Sequence, residues 1–451
     1  ETVTRRSETK QRIRLACDAQ GKLTAIGHEN LVSQLPEEVF SEPVAQGTHF
    51  QYAAPNRLVG HHIARIRRPA AGSVRAPGEA VGVTAFEIAV DELAKKAGID
   101  PLEFRLRNVP EKHPENGKPF SSSTMEATLR EGAKRFGWEH TAPRQRREGE
   151  WWIGTGMASA ARVHNVGEAR ARVTLKADGT ALVETDMTDI GTGSYTIIAQ
   201  TAAETMGLPL DSVTVELGDS NFPVSSGSGG QWGAASSTAG VYAACVNLRR
   251  MIGEKLGFDG DAADFQGGLA TLDGQGWQIT EAGALSADGE MTYGDFKSDY
   301  DVGTYAAHFA EVRVDAFTGE VHITRMLAVC DAGRILNPLS ARSQVIGGMV
   351  MAAGATLMED LHVDKRFGFF ANHDLAGYEV PVHADIPHQE CIFLDTLDPI
   401  VSPMKAKGVG ELGICGPNAA VANAVYNATG VRVREYPITV DKYLDRLPAL
   451  A

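Results

Sequence analysis

A chain of 451 residues is longer than one ordinary core encloses, which predicts about two to four domains or subdomains. With 43% hydrophobic and 22% charged residues the composition is globular, and a formal net charge of −14 argues against nucleic acid as the main partner, because phosphate binding needs a basic surface. No apolar run approaches the ~18 residues that cross a bilayer, which argues against membrane insertion. The opening "ETVTRRSETK" has no signal-peptide core, and the absence of an initiator Met suggests a processed chain or a fragment whose targeting signal is missing. Five cysteines, Cys17, Cys245, Cys330, Cys391 and Cys415, never form CxxC, so they read as buried or free thiols and leave the compartment open.

In chain order, residues 10–32 alternate apolar and polar around "DAQGKL", which predicts a β-hairpin. The basic run "RIRRPAAGSVR" (Arg65, Arg67, Arg68, Arg75) is either a solvated face or a surface for an anion or acidic partner. Residues 79–97 carry apolar side chains at helical spacing and stop at Gly98; Asp100 and Pro101 then cap and open a second short helix. Residues 109–123 are polar and rich in Pro, Gly and Ser, which predicts a linker. "MEATLREGAKRFGW" follows as a helix, and a strand-rich region begins near Trp151. Within it "ARARVTLKADGTALVETD" reads as a hairpin, "SYTIIAQTAAETMG" as a helix ending on Gly207, and residues 260–290 as a structureless surface excursion. The mixture predicts an α+β fold with largely antiparallel sheets and packed helices.

Three glycine-rich stretches precede helix-like segments: residues 186–196 with "TDIGTGSYT", residues 225–240 "SSGSGGQWGAASSTAG", and residues 405–430 "KAKGVGELGICGPNAAVANAVYNATG". Glycine lets backbone N–H groups approach a ligand, and a helix N-terminus offers donors that favour anions. Each is a tight turn or a ligand contact; three together favour an extended polar ligand. None is GxGxxG or GxxxxGK[ST]. The last stretch contains a single acid, Glu411, among glycines. Burial disfavours the charged form of a carboxylate, which is how a general base is tuned to a working pH.

"RAPGEA", "GQWGAASSTAG", "DAGRILNPLSARSQVIGGMV", "GYEVPVHADIP" and "SPMKAKG" followed by "GVGELG" occur in the order that resembles the molybdenum-binding subunit of the xanthine dehydrogenase and aldehyde oxidase family, nearly end to end. The resemblance is strongest to bacterial periplasmic aldehyde oxidoreductases of three subunits. It implies two molybdopterin-binding domains: residues 1–110 as the C-terminal part of a first, incomplete one, residues 111–124 as a linker, and residues 125–451 as the second. The N-terminal half of the subunit, with its own glycine-rich loop, is absent. The resemblance further implies oxidation of aldehydes, aromatic ones favoured, to carboxylic acids, with hydroxylation of N-heterocycles as the alternative. It implies a molybdopterin cytosine dinucleotide whose dithiolene holds the molybdenum, so that the protein supplies no metal ligand. Partner subunits carrying [2Fe–2S] clusters and FAD would take the electrons, docking on the basic run or the N-terminal segment, and the compartment would be the periplasm.

By the same resemblance Glu411 is the base. Arg75 either steadies a developing oxyanion or pairs with Glu79, and Arg162 lines a substrate channel. Asp189, Ile190 and Gly191, then Gly230, Gln231, Gly233 and Ala234, are cofactor contacts. Arg334, Ile335, Leu336, Asn337, Pro338, Leu339 and Ser340 line the cofactor, as do Lys407, Gly408, Val409 and Gly410. Gln344 hydrogen-bonds it, unless it only caps a helix start.

Rival readings are a non-catalytic scaffold subunit, which would not need Glu411, and a Ser–Lys hydrolase using Ser402 and Lys405 of "SPMK", which lacks SDN and KTG. A metallohydrolase is weaker: His61 with His62, and His383 with His388 and Glu390, lack HExxH spacing.

Overall fold

The computed structural model describes residues 4–67, 69–294 and 296–447; Arg68 of the basic run and residues 1–3 of the N-terminal segment lie outside the described residues. The predicted first hairpin is present as β1 (Thr9–Cys17) and β2 (Leu23–Gln34), joined in parallel to β3 (Asn56–Arg65). Helix α1 (Glu79–Lys96) ends where Gly98 adopts φ +69°, a left-handed conformation that glycine enters without a Cβ penalty. Helix α2 (Pro101–Asn108) is capped as its sequence predicts, the Asp100 carboxylate accepting from the Leu102 and Glu103 N–H groups. Helix α3 (Met125–Phe136) follows the Pro/Gly/Ser-rich segment.

The central sheet is five-stranded in the order β17-β14-β13-β5-β4, from β4 (Arg146–Glu148), β5 (Trp151–Val163), β13 (Gly303–Asp315), β14 (Val321–Asp331) and β17 (Gln389–Phe393). Its core is continuous with the first hairpin's: Leu23, Phe86 and Phe104 pack in one cluster with Met157, Phe309 and Val329. The core therefore does not divide at residues 111–124. On this sheet lie α7 (Pro338–Leu357) and α8 (Pro417–Thr429). Gly156 lets α8 close in, since a Cβ there would sit 2.2 Å from both the Ala420 oxygen and the Ala424 nitrogen.

A second layer holds the sheet β12-β6-β7-β8, from β6 (Ala169–Leu175), β7 (Ala181–Thr185), β8 (Val213–Leu217) and β12 (Leu285–Met291), covered by α4 (Ser194–Met206) and α5 (Gly233–Leu256). The excursion expected over residues 260–290 is instead ordered sheet. It comprises β9 (Asp264–Gln266), β10 (Leu269–Leu272) and β11 (Gln275–Gln278), then β12 itself. Phe265, Ala270, Ile279 and Ala287 from it are buried in the α4–α5 core, a contribution hidden in the sequence by short strands broken at glycines. The one-turn α6 (Phe296–Asp299) and the small hairpin β15 (Val363–Asp364) and β16 (Phe369–Phe370) complete the elements. Antiparallel pairings outnumber the parallel ones, β2 with β3, β7 with β8 and β14 with β17. Among the described residues no helix is long and apolar enough to cross a membrane.

Candidate active site

Loops from both layers converge on one cavity of about 610 Å³, within the range of small-molecule and cofactor sites. The glycine-rich loops supply the openings of α4 and α5: Trp232 caps α5 without a side-chain bond, so its first-turn N–H groups stay unclaimed by side chains, whereas at α4 the Asp189 carboxylate accepts from the Tyr195 N–H at 3.3 Å. The third wall is the turn from β14 into α7. It is laced to the 405–411 loop by Arg334 N–H to the Lys405 carbonyl and Lys407 N–H to the Ala332 carbonyl, both at 2.8 Å. A Cβ on Gly408 would lie 1.5 Å from the Gln231 oxygen, so only glycine brings the second and third glycine-rich loops into contact. Gly408→Ala is accordingly expected to cost about 1 to 3 kcal/mol of stability. Thermal unfolding checks this.

Glu411 lies on the cavity wall with its side chain 14% exposed. Its Oε2 accepts from Arg162 Nε at 2.9 Å and Nη2 at 2.6 Å, and its Oε1 accepts from the Ala76 N–H at 3.1 Å. The Glu411 N–H donates to Gln231 Oε1 at 3.3 Å, and Gln231 Nε2 donates to the Thr304 hydroxyl at 2.9 Å. These two bonds hold Gln231 at φ +55°, a conformation costly for a residue with a Cβ. Ala76, at φ +53° in "RAPG", is held similarly strained, with its N–H aimed at the acid.

Arg75 reaches the same cavity but makes no pair with Glu79. Its Nε donates to the Gly410 carbonyl at 2.8 Å and its Nη2 to the Gln344 carbonyl at 2.6 Å, while burial lowers its pKa and the nearby Glu411 charge opposes that. Arg162, expected in a substrate channel, does not line the cavity. It is 4% exposed, sits behind Glu411 and binds Glu79 Oε1 through Nη1 at 2.8 Å. Burial opposes its charge, yet Glu79 and Glu411 together hold it firmly protonated.

Of the remaining positions, Ile190, Gly230, Gln231, Gly233 and Ala234 line the cavity. So do Arg334, Ile335, Leu336, Asn337, Ser340 and Gln344, and Gly408, Val409 and Gly410. Gln344 lies in the second turn of α7, whose cap is Asn337, so it is no helix-start cap. Lys407 contributes its backbone side only, because its buried Nζ donates to the Ser122 hydroxyl at 2.6 Å and the Gly303 carbonyl at 2.9 Å and faces Asp331 at 3.3 Å. Four residues lie off the wall. Asp189 folds the first loop by accepting from the Gly191, Thr192, Gly193 and Tyr195 N–H groups, which outweigh burial and keep its carboxyl below the usual range. Gly191 is in that turn, Pro338 opens α7, and Leu339 points outward at 80% exposure. Sequence reasoning missed Ser73, Met187, Thr192, Ser194, Ile197, Ser228, Gly229 and Ala341 on the wall. Thr192, Ser194, Ser228 and Gly229 lie inside the glycine-rich stretches, which was signal enough to include them.

The rival sites do not assemble. Ser402 is buried and bonded to the Ala406 backbone, while Lys405 is an exposed turn residue at φ +58°. His61 is engaged with Asn30 and Ser41, and among the described residues no group of three His, Cys, Asp or Glu could hold a metal ion.

A carboxylate at the wall of a cavity rimmed by glycine backbone and the uncapped N-terminus of α5 is a site suited to an anionic cofactor. Profiles described as molybdopterin cofactor-binding domain match residues 1–109 and 131–387, and the chain belongs to that family, as the xanthine dehydrogenase and aldehyde oxidase enzymes do. It is 55% identical, over 99% of its length, to the aldehyde oxidoreductase molybdenum-binding subunit PaoC of Escherichia coli K12, and 31% identical, over 82% of its length, to the putative xanthine dehydrogenase molybdenum-binding subunit XdhA of that strain. It spans 62% and 52% of those relatives. The crystal structure of quinoline 2-oxidoreductase from Pseudomonas putida 86 shares the fold with a TM-score of 0.87 at 23% identity, over 99% of this chain and 63% of that one.

The cavity fits the family's cofactor. A Cβ on Gly229 would meet nothing within 4 Å, and one on Gly410 only Gln344 Oε1 at 3.7 Å, so these two wall positions face room that side chains do not fill. The α5 N-terminus would receive its phosphate, beside Arg334, which is paired with Glu204 at 2.6 Å, and the Gln231 and Gln344 amides its polar edges.

Proposed function

We propose that this chain is the cofactor-bearing part of a molybdenum-dependent aldehyde oxidoreductase that converts aldehydes, aromatic ones by preference, to carboxylic acids. The observation that carries this is Glu411: one carboxylate at the cavity wall, oriented by Arg162 and the Ala76 N–H, with both amides beside it. When bound, the molybdopterin supplies the two-electron redox chemistry. Glu411 Oε2 is occupied by two Arg162 donors, whereas Oε1 has one donor and is the oxygen open to a proton from the reacting water-derived group. Arg75, anchored on the Gly410 and Gln344 carbonyls, fixes the 410–411 turn against α7 and keeps a cation beside the reaction. Identity to the named aldehyde oxidoreductase, higher than to the xanthine dehydrogenase subunit, supports aldehydes over N-heterocycles.

The cofactor form we propose is the cytosine dinucleotide. Supporting it is a second cavity of about 480 Å³ that shares Arg334 with the first and adds Arg249, Lys405 and Glu204, the last paired with Arg334 at 2.6 Å, which leaves room beyond the first cavity for a nucleotide end. Electrons would leave through partner subunits carrying [2Fe–2S] and FAD, in a three-subunit periplasmic complex like those the sequence resembles. The test is elemental analysis of the purified complex together with nucleotide released by acid and turnover of benzaldehyde and xanthine. Near-stoichiometric molybdenum with CMP, and oxidation of benzaldehyde but not xanthine, is the expected result. A well-folded complex without molybdenum, or one oxidising xanthine alone, overturns the proposal.

A further inference from the structure

Glu79 has no part in the chemistry described so far. It is the first residue of α1, fully buried, four positions after Arg75. Its Oε1 accepts from Arg162 Nη1 at 2.8 Å and from the Val163 N–H at 3.3 Å, while its buried Oε2 has no hydrogen-bond partner among the described residues. On the opposite side the same guanidinium gives Nε and Nη2 to Glu411. One cation is therefore divided between two carboxylates, one fully buried and one 14% exposed at the cavity wall. Burial pushes Glu79 up to about 7, against the opposing pull of Arg162. Three of the other titratable groups around the trio carry no negative charge near neutrality, and Glu42, which accepts from the Gly78 N–H at 2.7 Å, is paired with Arg6. Arg75 is a cation, burial and then Glu79 push the Cys415 thiol far up, and burial, Lys407 and Arg162 push His164 down to about 3. Arg6, which also faces Cys415, is paired with Glu42 at 2.9 Å.

We propose that Glu79 is a positioning residue for Glu411: by claiming one arm of Arg162 it sets how firmly the guanidinium holds the Glu411 carboxylate in its charged form. The inference rests on the reading of Glu411 as the base. An undivided Arg162 would grip Glu411 alone, and a more tightly held carboxylate takes up a proton only at lower pH and is a weaker base. Glu79 thus tempers the counter-ion without touching substrate.

The test compares the intact complex with Glu79→Gln, which keeps the side chain's shape and an acceptor for Arg162 but removes the charge. At equal molybdenum content, the parent's advantage over the variant in kcat/KM for benzaldehyde is expected to grow about three- to tenfold as pH rises through about 7, where Glu79 takes up its charge, and to vanish below it. A readout independent of turnover is the melting temperature. A carboxyl raised in the folded state contributes stability that is fully present below its unfolded pKa and is lost as pH rises through the folded one, here from about 4.5 to about 7. The variant should therefore gain on the parent across that window. Should Glu79→Gln yield no loaded complex, Glu79→Asp takes its place; it withdraws the charge by one methylene, and the ratio should change the same way by less. A parent-to-variant ratio that stays flat with pH in a loaded variant, or a melting temperature that tracks the parent across the window, overturns the proposal and leaves the base reading intact. A parent complex that oxidises no aldehyde overturns both.

Discussion

Glu411→Gln is expected to lose at least about 10³-fold in aldehyde turnover while retaining the parent's molybdenum. The amide cannot accept a proton at either terminal atom, so the step assigned to Oε1 is lost. Because an amide has one oxygen, it can satisfy the Arg162 donors or the Ala76 N–H but not both, and a modest loss of stability accompanies the change. The loop should nevertheless hold: the residue 411 N–H to Gln231 Oε1 survives, and Gly413 remains wedged where a Cβ would lie 2.4 Å from the Val345 oxygen. Turnover of benzaldehyde within tenfold of the parent by a fully loaded variant would remove Glu411 from the role of base.

Arg162→Met acts on stability first. Removing one partner of a buried ion pair strands its counter-charge, a loss of about 3 to 5 kcal/mol, and here two carboxylates are stranded together. The pH dependence has a definite sign. Glu79, already pushed up to about 7 by burial, loses the charge that held it down, so its folded pKa rises further above its unfolded value. Its contribution to stability is then fully present below about pH 4.5 and disappears as pH rises. The deficit of the variant should be largest at pH 8 and shrink towards pH 5.5. Chemical denaturation at both pH values measures it; a variant as stable as the parent at pH 8 would show that the trio is not a charge-balanced unit. Turnover should fall with it, because Glu411 loses two of its three donors.

What could be read in the sequence was whatever local chemistry dictates. The Asp100 cap, the left-handed stops at Gly98 and Gly207 and the helix after each glycine-rich stretch depend on a few adjacent residues, and they stand where local pattern puts them. The strands β9 to β11 were not legible, since strands of three or four residues between glycines show no period and are justified only by the α4–α5 core they cover. The site divides the same way. Glycine spacing located the walls, but pairing is tertiary: nothing in "VRAPGE" tells that Arg75 would turn to carbonyls of another segment and leave Glu79 to Arg162. Lys407 shows the converse, a residue at the right place whose side chain faces away into a buried cluster with Asp331 and Asp398.

The bond from Arg75 to the Gly410 carbonyl joins residues 335 positions apart. At a synthesis rate of ~5–20 residues per second the ribosome needs about 17 to 67 s to make the second partner after the first. Throughout that interval the turn bearing Ala76 has no acid to meet, and Arg162 lacks the carboxylate it will share with Glu79. Closure over such separations is slow even once the chain is complete. The cradle around Glu411 is thus among the last parts of the molecule to form.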